Sequence, residues 1–537
     1  MRHSLMSTAA LVASLFALAG CTVEKADAAM KTFVYCSEAS PSSFNPQLAT
    51  DGATFNASSA TVYNRLVEFE RGGTKVMPSL AEKWDVSKDG KTVTFKLRKD
   101  VQFHTTDKFK PTRKFNADDV LFTFNRMFQD SHPYHKVSGG VYEYFQSMDM
   151  PKLLSSVEKV DDYTVKFNLT RAEAPFIANM AMDFASILSA EYGDQLMKAK
   201  TPEMLDKEPV GTGPFVWKSY RKDSEIRFEA NPTYFQGKSP LDRLIFAITK
   251  DPNVRIQKLK RGECHFAAEP PPQDIKSLRS DAKLQVMEQE GLNVAYLGFN
   301  VQKPPFDNVE VRQAISMALN RQAYLDAIYL GNAVLAKNPI PPTMWSYNDK
   351  TVDYAYDTAK AKELLAKAGF PNGFSATMWY MPVSRPYNPN GKKMGEMMQA
   401  DLAKIGIKID LVTFDWGAYL DKARTGQHQM IQMGWTGDNG DPDNFLSVLL
   451  SCEASKNGSN YSRWCNPEFD KLINAAKITP NQAARTKSYM EAQTVFKKQA
   501  PWVTLAHSKV YRAMGKNVVG YKMSPFGKDF FYGVDLK

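Results

Sequence analysis

The chain has 537 residues, 43% of them hydrophobic and 23% charged, which is enough for two or three domains with buried cores and carries no compositional mark of disorder or of a collagen-like fibre. Its 68 Lys and Arg against 58 Asp and Glu give a formal charge of +10, yet the basic residues are scattered, as in "KDGKTVTFKLRKD", with no block interleaved with aromatics. That is the pattern of a solvated lysine surface, and it argues against a nucleic-acid partner.

At the N-terminus Arg2 and His3 form a thin positive region, residues 11–18 are apolar, and "LAGC" at 18–21 follows at once. A stretch this short cannot cross a bilayer core of about 30 Å and reads as a secretory signal. "LAGC" matches the lipobox of bacterial lipoproteins, which places cleavage before Cys21 and a lipid on its sulfur. Residues 1–21 are then the signal segment with its lipobox, and 22–30 a tether. The small-residue site "ADAA" at 26–29 is the competing cleavage point. Nothing later approaches the roughly 18 consecutive apolar residues of a membrane helix.

From about residue 32 to 249 short β-rich runs dominate: "KTVTFKLR", "DYTVKFNL", "SEIRFEA" and "DRLIFAIT". Each alternates or is continuously apolar and is bounded by turn residues. "GTGPF" at 211–215 has two glycines of a dinucleotide fingerprint but Val216 in place of the third, so it reads as a turn entering a strand. "YFQGKS" ends like a P-loop, but Pro232 stands where the first glycine belongs. From about 309 to 499 helices with strands between them take over. "NVEVRQAISMALNRQAYLDAIY" predicts one amphipathic helix, and "DTAKAKELLAKAG" another, with Asp357 as N-cap and Gly369 closing it. The succession "SATMWYM", "GEMMQADLAKIG", "KIDLVTF", "WGAYLDKART", "MIQMGW" is β-α-β-α-β, the mark of an α/β domain with a largely parallel sheet. "DPDNFLSVLL" starts a further helix with Asp441 as N-cap and Pro442 at its first position.

With Cys21 set aside, four cysteines remain: Cys36, Cys264, Cys452 and Cys465. Export permits disulfides, and four cysteines allow three pairings. Cys452 and Cys465 flank the turn-rich "NGSNYSRW" and should close a local loop, which leaves Cys36 to pair with Cys264. A zinc site fails on spacing, with no C-x-x-C and no histidine pair beside them. Six of the seven histidines, His104, His132, His135, His265, His428 and His507, form no H-E-x-x-H, and there is no G-x-S-x-G elbow. "GWTGDNGDPDNF" at 434–445 lacks the acid and glycine spacing of a calcium loop. These patterns carry no metal, no cofactor and no catalytic group, and leave a peptidase without a nucleophile.

Within that last stretch Asp441 is explained by capping, whereas Asp438 has no such duty. It follows a strand end, where open α/β sheets bind ligands. "PVSRPYNPN" places Arg385 after the preceding strand "SATMWYM". One crevice is thus offered a cation and an anion; the plain alternative is that the two pair with each other or face solvent.

The runs "PSLAEKWDVSKDGKTVTFKLRKDVQFH", "FNADDVLFTFNR", "VGTGPF", "VRQAISMALNR" and "GWTGDNGDPDNF" resemble, in order and spacing, the peptide- and nickel-binding class (family 5) of bacterial solute-binding proteins that feed ABC importers. The resemblance covers the chain from Lys31 onward, and "SRPYNPN" and "GWTGDNGDPDNF" are most similar to the dipeptide-binding members. It implies an α/β fold of two lobes joined by a hinge: 31–290 as a larger β-rich lobe I with an extra subdomain, 291–508 as lobe II, and 509–537 returning to lobe I. The same disulfide pairs are implied. By motif, ligand contacts fall on Thr50, Asp51 and Gly52, on Arg385, Pro386 and Tyr387, and on Trp435, Thr436, Gly437 and Asp438. Arg385 would fork a peptide carboxylate, Asp438 would take the ammonium, and backbone groups near Gly52 would bond the extended peptide. Specificity would then fall on length rather than side chains. The resemblance also implies a monomeric periplasmic protein serving membrane permease subunits. The lipobox departs from the dipeptide-binding pattern; lipid-anchored relatives are associated with heme or glutathione, which are the rival cargoes.

Overall fold

A computed structural model describes residues 30–537; the signal segment, Cys21, the "ADAA" site and nearly all of the tether lie outside the described residues. The β-rich runs of the first half fold where their alternation predicts. Ala81–Val86, Thr92–Leu97, Thr164–Leu169 and Leu154–Asp161 form a four-stranded antiparallel sheet in that spatial order. Val93, Phe95 and Leu97, with Val165, Phe167 and Leu169, are its buried face. The helix Ala117–Phe128 covers that face, with Phe124 edge-on to Phe167 at 4.9 Å. A capping box at Asn116 and Asp119 starts the helix.

Apart from two small hairpin-like pairs, Val67–Phe69 with Val76–Pro78 and Val518–Val519 with Asp535–Leu536, the remaining strands join one large sheet. Thr32–Ser37 runs parallel to Arg243–Ile248, which continues antiparallel through Glu225–Ala230 to Phe215–Arg221. "GTGPF" is the turn entering Phe215–Arg221: the Gly213 N–H donates to Val62 O at 2.8 Å, and a Cβ on Gly213 would stand 2.5 Å from the Val62 carbonyl carbon. At the other end Ser375–Trp379 lies parallel to both Lys408–Val412 and Met430–Thr436. The predicted β-α-β-α-β unit is therefore present, but the parallel part stops at three strands. Met430–Thr436 pairs antiparallel with Asn293–Phe299, a strand buried at every residue. The 14-residue strand Trp502–Gly515 joins the two ends of the sheet, pairing with Asn293–Phe299 through its first half and with Leu284–Glu290 through its second.

One predicted helix is broken. "NVEVRQAISMALNRQAYLDAIY" forms Val309–Ala318, turns extended at Leu319 (φ −88°, ψ 119°), and restarts as Arg321–Tyr324. Asn320 causes the restart: its side chain accepts from the Ala323 N–H, and its own N–H donates to Asp401 at 2.9 Å. A local cap with a tertiary partner outcompetes the continuous helix. The helix Thr358–Lys367 is as expected, capped by Asp357 and followed by Gly369 at φ +93°. The helix after "GDP" starts at Asp443 rather than at Pro442, although Asp441 Oδ1 still accepts from the Asp443 N–H at 3.0 Å.

Both disulfides are formed as expected, with Cα–Cα separations of 5.8 Å for Cys36–Cys264 and 4.3 Å for Cys452–Cys465. The first closes a loop of 228 residues and ties the opening strand to the segment that leads into its neighbour. Replacing Cys36 and Cys264 by Ser together should lower the unfolding free energy by about 2–4 kcal/mol through the freed unfolded chain. A urea midpoint unchanged from that of the parent would refute this.

Candidate functional site

The strand Met430–Thr436 is buried from Met430 to Trp435 and delivers Trp435 and Thr436 to a cavity. Gly434 is required within it because a Cβ there would run into the Tyr387 ring. Beyond the strand, the Asn444 side-chain oxygen accepts from Trp435 Nε1 at 3.1 Å and from the Asp438 N–H at 2.8 Å, which folds the loop back on the following helix. The Gly437 N–H donates to Leu292 O at 2.7 Å.

Asp438 is only 5% exposed. Tyr144 Oη donates to its Oδ2, and Lys528 Nζ stands 3.8 Å from its Oδ1. Lys528 also pairs with Asp183, which accepts from Ser59 Oγ at 2.6 Å. Two buried carboxylates thus share one ammonium. Burial, then the Asp183 charge, pushes the Asp438 carboxyl pKa up, and Lys528 offsets part of that rise. For Asp183 burial also acts upward, but Lys528 and Arg65 outweigh it and its pKa is lowered.

Arg385 lies in a tight turn, its N–H and carbonyl exchanging hydrogen bonds with Asn388 at 3.1 and 3.0 Å. Its Nη1 donates to Glu38 Oε1 at 2.8 Å, with both side chains buried. The guanidinium lies over the Trp416 ring at 5.4 Å. Burial opposes its charge, but Glu38 and the other acidic groups around it outweigh burial and raise its pKa. Arg385 Nη2 and Trp416 Nε1 are buried donors without a hydrogen-bond partner, an arrangement that a ligand acceptor would complete. Burial pushes the neighbouring Tyr387 phenol up to about 12, so it stays a neutral donor.

A cavity of about 90 Å³ is lined by all the expected site residues except Gly437. Gly437 shapes the loop instead, since a Cβ there would meet Leu292 and Phe445 at 2.7 and 2.8 Å. Thr50, Asp51 and Gly52 close the opposite wall. The Asp51 carboxylate is committed to capping the helix Gly52–Ala57, accepting from the Thr54 N–H at 3.0 Å and from Ser42 Oγ at 2.7 Å, while Gly52 faces open space. Arg385 and Asp438 do not pair with each other; each has partners from 31–290 or 509–537. Glu38, Glu269, Trp416 and Lys528, which no sequence motif singles out, also line the cavity. Glu38 directly follows the strand Thr32–Ser37, and the strand-end rule used for Asp438 would have found it; Lys528 carries no sequence signal. A wider cleft of about 840 Å³ adjoins past Thr50, Asp51, Trp416 and Leu420. Of the histidines, His104, His428 and His507 are buried against the carbonyls of Gly213, Tyr461 and Asn293. Burial lowers their pKa values to about 4, so they are neutral packing groups.

Residues 75–457 match the family described as bacterial extracellular solute-binding proteins, family 5 middle. The chain is 55% identical over 507 residues to the dipeptide-binding protein of Escherichia coli (strain K12), covering 94% of this chain and 95% of that one. It is 48% identical over 543 residues to heme-binding protein A of Haemophilus influenzae, covering 99% of each. The crystal structure of a dipeptide binding protein from Pseudoalteromonas sp. SM9913 in complex with Met-Leu is similar at a TM-score of 0.92 and 41% identity, covering 94% of this chain and 100% of that one. The mixed α/β fold is accordingly that of periplasmic dipeptide-binding proteins.

Removing the shared ammonium tests the charge arrangement. Lys528→Met would strand Asp183 and Asp438, at a cost of about 3–5 kcal/mol. The Asp183 pKa, lowered in the parent, would rise above its unfolded value and that of Asp438, already raised, would rise further, so the folded variant would hold protons more tightly and its deficit would shrink as pH falls. Urea unfolding at about pH 8 and about pH 5 reads this; equal deficits at both would show that Lys528 acts by packing alone.

Proposed function

The chain belongs to the bacterial extracellular solute-binding proteins of family 5, and on that footing we propose that it captures dipeptides between two closing lobes and delivers them to the permease subunits of an ABC importer. The observation that carries the reading is the cavity in which Asp438 and Arg385 face one small space from separate settings. A dipeptide is a zwitterion of fixed length. Its ammonium fits beside the Asp438 carboxylate, and its carboxylate completes the unpartnered Nη2 of Arg385. Main-chain contacts near Thr50 and Gly52 ignore side chains, so length is what such a site measures.

The lobes of this reading are 31–290 with 509–537, and 291–508. The bonds Glu38–Arg385, Tyr144–Asp438 and Lys528–Asp438 then all cross the closure. The boundaries fall at Gly291, between two strands, and at Ser508, inside the long strand. We place the protein outside the cytoplasm, in the periplasm, as a monomer anchored through Cys21. Among the described residues no helix is long and apolar enough to cross a membrane. The reading contains no catalytic step, cofactor or metal. A second cargo, heme, is supported by the relative named for heme binding and by the adjoining cleft of about 840 Å³.

Calorimetry with free and N-acetylated dipeptides separates these readings. Asp438→Asn should cost about 2–5 kcal/mol of affinity for the free dipeptide and little for the acetylated one, which has no ammonium. Identical relative affinities in variant and parent would make Asp438 a mere loop residue. Competition by heme for the same site would move the assignment to the second cargo. For the anchor, Cys21→Ala should release the protein into the soluble periplasmic fraction; unchanged fractionation would leave "ADAA" as the cleavage site.

A further inference from the structure

Glu269 lines both the ligand cavity and a small side channel of about 20 Å³, whose walls also include Arg385, Pro386, Asn332, Lys509 and Tyr511. Its backbone is held in an unusual place. The φ angle is +48°, in the left-handed region that residues other than glycine rarely occupy, and Pro270, Pro271 and Pro272 follow directly. The buried Arg255 clamps the carbonyls on either side, with Nε on Ala268 O at 2.9 Å and Nη2 on Glu269 O at 3.3 Å. Backbone strain of this kind persists only where the surroundings over-determine it, and it collects at ligand clamps.

The carboxylate so presented has no hydrogen-bond donor among the described residues. The cation nearest it, Arg512 Nη1, is 3.6 Å away. Arg512 already serves Asp529 at 2.6 Å and the carbonyls of Tyr511 and Gly527 at 3.0 and 2.7 Å. Arg385, the other guanidinium of this wall, already serves Glu38. Arg512 thus divides its charge between Asp529 and the more distant Glu269, which leaves Glu269 with one shared ion pair and no hydrogen bond among the described residues. It keeps 14% side-chain exposure. A partly exposed carboxylate held only by a long, shared ion pair can still take a further counter-charge.

We propose that Glu269 is a specificity-determining residue that selects dipeptides whose C-terminal side chain carries a cation, as lysine and arginine do. The inference rests on the dipeptide reading above, because a ligand carboxylate on Arg385 puts the C-terminal side chain next to Glu269 and the channel. A side-chain cation placed there would gain a counter-charge from Glu269, whereas an acidic side chain would add a like charge beside it.

The test is calorimetry with Ala-Lys and Ala-norleucine, which differ at the side-chain ammonium. The parent should favour Ala-Lys by about tenfold or more, as expected for a close charge pair. Glu269→Gln should bring the two within about twofold, and Glu269→Lys should reverse the order, favouring Ala-Glu over Ala-Lys. Equal affinities in the parent, or a preference for Ala-Lys that survives in Glu269→Gln, overturns the assignment and leaves the dipeptide reading standing. If the parent binds neither peptide, both readings fall.

Discussion

The backbone ladder along Trp502–Gly515 is the constraint on which the rest depends. Buried N–H and C=O groups must be paired, and this one strand supplies partners to Asn293–Phe299, Ala333–Leu335 and Leu284–Glu290. Its pairing shifts register between Ala295 and Tyr296, an irregularity of the kind that bends and twists a strand. The crossover is pinned by side chains as well. Asn293 Nδ2 donates to Ser508 O and its Oδ1 accepts from the Ser508 N–H, both at 2.9 Å, while the His507 ring bonds the Asn293 carbonyl at 2.7 Å. The crossover thereby holds Asn293–Phe299 and Leu284–Glu290 on one continuous strand.

The second constraint is electrostatic. The cavity gathers Glu38, Asp51, Glu269 and Asp438 with Arg385 and Lys528 in little space. Burial of charge is tolerated only with partners, so nearly every group there is tied to another part of the chain. Arg385 reaches Glu38 across 347 positions, and Tyr144 reaches Asp438 across 294. Those bonds position the groups before any ligand arrives, which reduces what ordering costs on binding. They leave a few valences open, notably Arg385 Nη2, Trp416 Nε1 and the Glu269 carboxylate. What a site leaves unpaired is what it can recognise.

The loop at 434–445 joins these two constraints. Its acids are not a solvated, flexible patch: Asp438 and Asp443 are buried, and Asp441, which precedes the helix N-cap Pro442 and is not itself the cap, pairs with Arg485 at 2.8 Å. The glycines serve close approach, Gly434 to Tyr387 and Gly437 to Leu292. A strand end delivers the acid, and the Asn444 side chain keeps it from straying.

Sequence alone determined whatever depends on local pattern. Strand alternation, the Asp357 cap, the β-α-β-α-β order and the two disulfide pairs were legible because each follows from neighbouring residues, spacing or the small number of pairings available. The family motifs named nine residues that line the cavity, but not Glu38, Glu269, Trp416 or Lys528, and they gave Gly437 a contact where it has a shaping role. Tertiary structure alone decided the rest. It broke the predicted helix at Asn320, because Asp401 lies 81 positions away, and it ended the parallel run of the β-α-β-α-β unit at three strands. It turned Asp51 into a cap and supplied Lys528, Glu38 and Glu269 to the cavity. Those outcomes turn on burial and on charges far apart in the chain, and a carboxylate's partners and pKa are set by what folding packs against it rather than by the letters beside it.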